Sequence, residues 1–215
     1  MADATYNPKV YRKQGGDELV VASGGEITVE SGGNIDLSAG GIQLPSSTLG
    51  KGFIPIGIFN CRLLSSDAFL NTIEAGTPDG NTNPSLQRVN SATDKAARLI
   101  WASSNSDEIQ FPSFAYPPDL DDSADITIHV LAAMGGATDT PVLTVSYWEG
   151  LGDTNAGGAT AAVTGTTIAE YTRTIAAADV GAHPKTASVG ITPGAHTTDA
   201  LHIYNCWVEY TRKTS

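Results

Sequence analysis

The run DITIHVLAAM, residues 125–134, sets Ile126, Ile128 and Val130 against Thr127 and His129. Alternation with period two puts the first three on one face of an extended strand and the other two on the opposite face. The same alternation returns in PVLTVSYW (141–148), with Leu143, Val145 and Tyr147 against Thr144 and Ser146. Six more strand candidates are FIPIGIFNCRLL (53–64), ARLIWAS (97–103), EIQFPSF (108–114), IAEYTRTI (168–175), TASVGI (186–191) and LHIYNCWVEYT (201–211). Residues 65–95 and 150–165 read as mostly irregular, and helix-like patterns are confined to the short pieces 67–74 and 176–180. Without a helix long enough to cross between parallel strands, the pattern predicts an all-β antiparallel sandwich over residues 51–215. Its strand number and long loops favour a jelly-roll-like arrangement, with an Ig-like sandwich as the alternative.

A different rhythm precedes it. Residues 18–44 repeat in eights, ELVVASGG, EITVESGG, NIDLSAGG and a shorter IQL. Leu19, Val21, Ile27, Val29, Ile35 and Leu37 share one strand face, and each Gly pair supplies the positive-φ turn between units. This predicts a Gly-rich β-repeat stalk. Six aliphatic side chains do not offset the entropy of ordering three repeats, and the stripe has nothing in its own chain to face. Self-association as a homotrimer, with the six residues at the axis, resolves both problems. The chain thus reads as an arm (1–16), a stalk with its joint (17–50) and a sandwich (51–215).

Charge is sparse, at 16% of residues, and the net charge is -11. Residues 1–16 carry Lys9, Arg12 and Lys13 against Asp3, a net of +2, which leaves 9 basic and 22 acidic residues, or -13, for the rest. An acidic body argues against nucleic acid or an anionic membrane as partner. The basic arm, with Tyr6 and Tyr11 beside Lys9, Arg12 and Lys13, is the segment best suited to grip an acidic surface. The opening lacks the basic start and apolar run of a signal peptide, and two cysteines make no disulfide framework. Both observations point to synthesis in a reducing cytoplasm.

No catalytic or cofactor motif stands out. Phosphate-cradling, nucleophile-elbow, paired-His zinc and CxxC patterns are missing, and GDTNAGG (152–158) lacks the lysine and helix of a phosphate loop. His129, His183, His196 and His202 sit in unrelated segments. Asp119, Asp121, Asp122 and Asp125 form the densest acidic cluster, but lack the glycine and distal glutamate of a calcium loop. They read as a solvated loop rather than a metal site. Trp101, Trp148 and Trp207 offer a sugar platform, although each lies within or at the end of a strand pattern, where packing is the plainer role. Cys61 and Cys206 occupy matching positions in IFNCRL and IYNCWV, which makes them neighbouring free thiols if first and last strands pair.

The opening YNPKVYRKQGGDELVVASGGEITVESGG resembles that of head decoration or head-fibre proteins of tailed bacteriophages. PDGNTNPSLQRVNSATDKAARLIWASS, PPDLDDSADITIHVLAAMGG and TDALHIYNCWVEYTRK resemble the body that follows such an opening. The resemblance implies a non-enzymatic trimer on the outer surface of a phage head, made in the host cytoplasm, with the major capsid protein as partner. Two functions follow as expectations. One is a decoration, or cement, protein that bridges capsid subunits and stabilises the shell. The other is a head-fibre carbohydrate-binding module that holds the particle near host glycans. A glycan-degrading spike fragment is a third reading, but the close carboxylate pair it needs is not visible.

Overall fold

The computed structural model describes residues 10–12, 19–21, 50–65, 69–75, 84–89, 96–150 and 154–213. The chain divides into two compact units, Met1–Ile42 and Gln43–Ser215. In the first, β1 (Val10–Arg12) pairs antiparallel with β2 (Leu19–Val21), setting Val10 opposite Val21 and Arg12 opposite Leu19. Tyr11 and Arg12 of the expected arm therefore share a hairpin with Leu19 and Val21 of the expected axis, and the boundary drawn at residue 16 falls between its strands. Tyr6, Lys9, Lys13, Ile27, Val29, Ile35 and Leu37 lie outside the described residues.

The second unit is an antiparallel β-sandwich of two seven-stranded sheets. One runs β14 (Ala169–Ile175), β11 (Ile126–Met134), β16 (Leu201–Thr211), β8 (Ala97–Trp101), β7 (Ser85–Arg88) and β6 (Glu74–Ala75), with β3 (Lys51–Pro55) also paired to β16. The other runs β13 (Gly158–Ala162), β12 (Val142–Glu149), β15 (Thr186–Pro193), β9 (Ile109–Gln110), β4 (Arg62–Ser65) and β5 (Phe69–Thr72), with β10 (Phe114–Ala115) paired to β15. The pairing of β6 with β7 is parallel. Ile126, Ile128 and Val130 point inward and are fully buried, as are Leu143, Val145 and Tyr147 from the facing sheet. Each such aliphatic side chain contributes about 1.5–3 kcal/mol by leaving water. As expected of first and last strands, β3 lies against β16, from Lys51 opposite Thr211 to Pro55 opposite Trp207.

Several expectations are corrected. The run 53–64 is not one strand: β3 belongs to one sheet and β4 to the other, joined by a short 3-10 turn at Ile58–Asn60. Pro55 cannot donate to a ladder, and Ile56, Ile58 and Cys61 are all buried where the chain crosses. The run 108–114 likewise divides into β9 and β10 around Pro112. Phe69–Thr72, inside a helix-like pattern, pairs as a strand with β4. Gly158–Ala162, inside the expected loop, pairs with β12. In both, the partner strand supplies hydrogen bonds that override weak local preference.

Strand β16 changes phase along its length. Leu201 and Ile203 are fully buried, but so are Cys206 and Val208, two residues of the other parity. The register explains this: Leu131 faces Asn205 while the next residue, Ala132, faces Ile203. Tyr204 is the extra residue of a β-bulge, which shifts the alternation by one. Beyond it, Trp207 and Glu209 emerge on the outer face.

Candidate functional site

The outer face of the β16 sheet carries two adjacent rows of side chains. Register aligns Thr172, His129, Trp207 and Pro55 in one row, and Thr174, Thr127, Glu209 and Phe53 in the next. Inward neighbours in β11 and β16 are core residues, so these alternating positions face solvent. Trp207 and His129 stack with centroids 4.8 Å apart and planes 7° from parallel. That spacing matches neighbouring strands, so the two rings stand upright on the sheet as a ridge. His129 takes one face of the indole. On its other side, toward β3, the row continues to Pro55, so what remains for a ligand is the upper edge of the indole. In β3 Phe53 is 59% exposed, and Phe59, in the turn that follows β3, is 65% exposed.

Two carboxylates flank the ridge. Glu170 Oε1 lies 2.5 Å from His129 Nδ1, which places the donated proton on that nitrogen. Glu209 Oε2 lies 3.7 Å from His129 Nε2, a buried atom without a hydrogen-bond partner. Lys51 Nζ sits 3.3 Å from Glu209 Oε1 and donates to Thr211 Oγ1 at 3.2 Å. The surface therefore combines aromatic side chains with carboxylate acceptors. That pairing suits a ligand with both C–H patches and hydroxyl or amino donors.

A concavity of about 490 Å3 elsewhere is lined by Ala115, Glu149, Gly150, His183, Pro184, Lys185 and Thr186. Its carboxylate is already engaged. Gly181 N–H donates to Glu149 Oε1, Lys185 Nζ donates to Oε2 at 2.5 Å, and the Tyr116 hydroxyl bonds the same group. Burial raises the Glu149 pKa, but these donors outweigh it and hold the carboxyl below its ordinary range. Burial, with Glu149 and Tyr147 beside it, pushes the Tyr116 hydroxyl strongly up. This network ties β12 to the strand entry at Lys185 and acts as a strut.

The residues singled out in the sequence part company here. Trp101 is fully buried and donates Nε1–H to Asp107 O at 2.9 Å, while Trp148 is half-buried on the other sheet. Trp207, expected to pack, joins the outer face because of the bulge. His183 and His196 bond backbone carbonyls, and His202 is buried beside Arg98. Three of the four aspartates have separate partners: Asp119 takes Tyr210 and Arg212, Asp121 caps Ser123, and Asp125 accepts from Ala177 N. No group of three or more metal-ligating side chains occurs among the described residues. Cys61 and Cys206 are free and buried, and near enough for charge on one to act on the other. Phe53, Glu170 and Glu209 went unnoticed in the sequence, where only the alternation within 168–175 and 201–211 hints at an outer face.

The fold defines the class, an antiparallel β-sandwich. No protein-family model matches the chain, and no curated protein matches it. Among solved structures it is similar to the N-terminal CBM22-1 and GH10 modules of Clostridium thermocellum endo-1,4-beta-D-xylanase 10B, complexed with xylohexaose. There the identity is 15% and the TM-score 0.41, over 77% of this chain and 28% of that one. It is also similar to the CBM36-1 domain of a multidomain xylanase from the hindgut metagenome of Trinervitermes trinervoides, at 11% identity and TM-score 0.38, over 74% and 96%. A third is the enzymatically active domain of tailspike protein 4 of bacteriophage CBA120, at 12% and 0.37, over 69% and 19%. The chain thus spans under a third of the xylanase modules and of the tailspike. TM-scores below 0.5 carry nothing about what this chain binds.

Proposed function

We propose that this chain is a non-enzymatic carbohydrate-binding protein of a tailed-phage head, a head-fibre module that holds host-surface glycans. The observation that carries the reading is the outer-face ridge of Trp207 and His129, beside an exposed Phe53 and flanked by Glu170 and Glu209. Sugars bind by laying C–H faces on aromatic rings while carboxylates accept from their hydroxyls. The phage setting rests on the sequence resemblance. A glycan array probed with the wild type, Trp207→Ala and Phe53→Ala tests the reading. Expected is binding to a restricted glycan set that both variants weaken by tenfold or so. Signals unchanged in both variants, or no glycan bound by the wild type, would overturn it.

A second reading, a homotrimeric decoration protein bound to the major capsid protein, keeps one observation in its favour. Among the described residues β3 pairs with β16 alone, and exposed Phe53 and Phe59 lie in or just after it. Open edges beside exposed aromatics invite cover by another chain. Mass photometry showing about three chains per particle supports this reading, and a monomer at micromolar concentration removes it. Deletion of residues 2–14 then tests Tyr6, Lys9, Tyr11, Arg12 and Lys13 as the capsid anchor. A shortened trimer that fully decorates bare heads places the anchor elsewhere.

A further inference from the structure

The ridge is framed by negative charge. Glu170 keeps 48% of its side chain exposed and Glu209 keeps 24%. His129 lies between the two carboxylates, and Lys51 lies against Glu209 and Thr211 at the end of the row, so among the described residues around the ridge two carboxylates meet one ammonium and one imidazole. Partly exposed carboxylates beside an aromatic ridge attract an ammonium that docks there, and repel uronate, sulfate or phosphate.

We infer that the glycan this face selects carries free amino groups, as in a hexosamine polymer, and that Glu170 and Glu209 are the selecting residues. The inference rests on the carbohydrate-binding reading and deepens it. The sugar ring lies against Trp207 and Phe53, and its ammonium bonds the carboxylates. N-acetylation removes the charge, and a uronic acid reverses it.

Isothermal titration calorimetry of the full chain with three hexamers tests this: glucosamine, N-acetylglucosamine and galacturonate. The proteins are the wild type, Trp207→Ala and the double variant Glu170→Gln/Glu209→Gln, each checked for native circular dichroism. The glucosamine hexamer should bind about tenfold tighter than its acetylated form in low salt, and the advantage should shrink as salt rises. Galacturonate should not bind. The double variant should bind both glucosamine forms alike. Equal affinities in the wild type, galacturonate binding, or a preference that survives the double substitution would overturn the inference. A surviving preference would mark general attraction to an acidic chain. Should the acetylated hexamer bind as well and Trp207→Ala abolish both, the inference falls while the carbohydrate reading stands. With no hexamer bound, the inference falls, and the glycan array decides the carbohydrate reading.

Discussion

Asp139 and Asp199 cap each other's loops. Asp139 Oδ2 accepts from Thr198 N and Asp199 N at 2.6 and 2.7 Å, and Asp199 Oδ2 accepts from Thr138 N and Asp139 N at 2.6 and 3.0 Å. The exchange ties the turn after β11 to the turn before β16, the two strands that build the ridge. The chain passes close enough that a Cβ on Gly136 would meet Asp199 Oδ1 at 2.0 Å.

That exchange predicts an acid-labile fold. The amides of Asp199 and Thr198 hold the Asp139 carboxyl below its ordinary 3.8. A carboxyl whose folded pKa lies below its unfolded one adds stability above the unfolded value and loses it as pH falls through the folded one. Thermal midpoints followed by circular dichroism should fall as pH drops below about 4, and Asp139→Asn should flatten that fall. An unchanged slope in the variant would remove Asp139 as a source.

His202 acts nearer neutrality. Burial, with Arg98 beside it, pushes its imidazole down to about 4 from an ordinary 6.5. Between those values the unfolded chain takes up a proton that the folded chain refuses, so stability falls as pH drops from 6.5 toward 4. Urea midpoints at several pH values should show the loss, and His202→Gln should abolish it while leaving the Asp139 window in place.

Trp101 and Trp207 should differ in cost. Trp101 is fully buried, and Trp101→Ala should cost about 3–5 kcal/mol. Trp207→Ala, on the outer face, should cost about 1 kcal/mol or less. Urea unfolding of both variants decides. A Trp207 variant as unstable as the Trp101 variant would make the ridge a packing element and remove the basis for a binding face.

The cysteines should be silent in the native state. Cys61 donates its S–H to Ile58 O at 2.7 Å, and burial pushes its pKa up to about 12. Burial raises Cys206 as well. With thiolate so scarce, aromatic disulfide reagents at pH 8 should react roughly a thousandfold slower than with a free thiol. Two thiols should appear on denaturation. Fast native labelling would contradict the packing at both sites.

Alternation within single strands was enough to read an all-β sandwich and the part of its core that two strands supply. Ile126, Ile128, Val130, Leu143, Val145 and Tyr147 are buried as their period-two spacing requires, because that spacing is a local property of an extended chain. The pairing of first and last strands came from the jelly-roll arrangement instead, and β3 does lie against β16. Strands β5 and β13 were not legible, since Phe69–Thr72 and Gly158–Ala162 are extended only through the partners that hydrogen-bond them. The outer-face ridge depended on tertiary structure altogether. Nothing in LHIYNCWVEYT marks a phase change, for a bulge belongs to two strands at once. Only the register with β11, Leu131 against Asn205 and Ala132 against Ile203, turns Cys206 and Val208 inward and Trp207 out. Glu170 is 37 residues from Trp207 and on a different strand. It reaches His129 only because antiparallel pairing sets β14, β11 and β16 side by side.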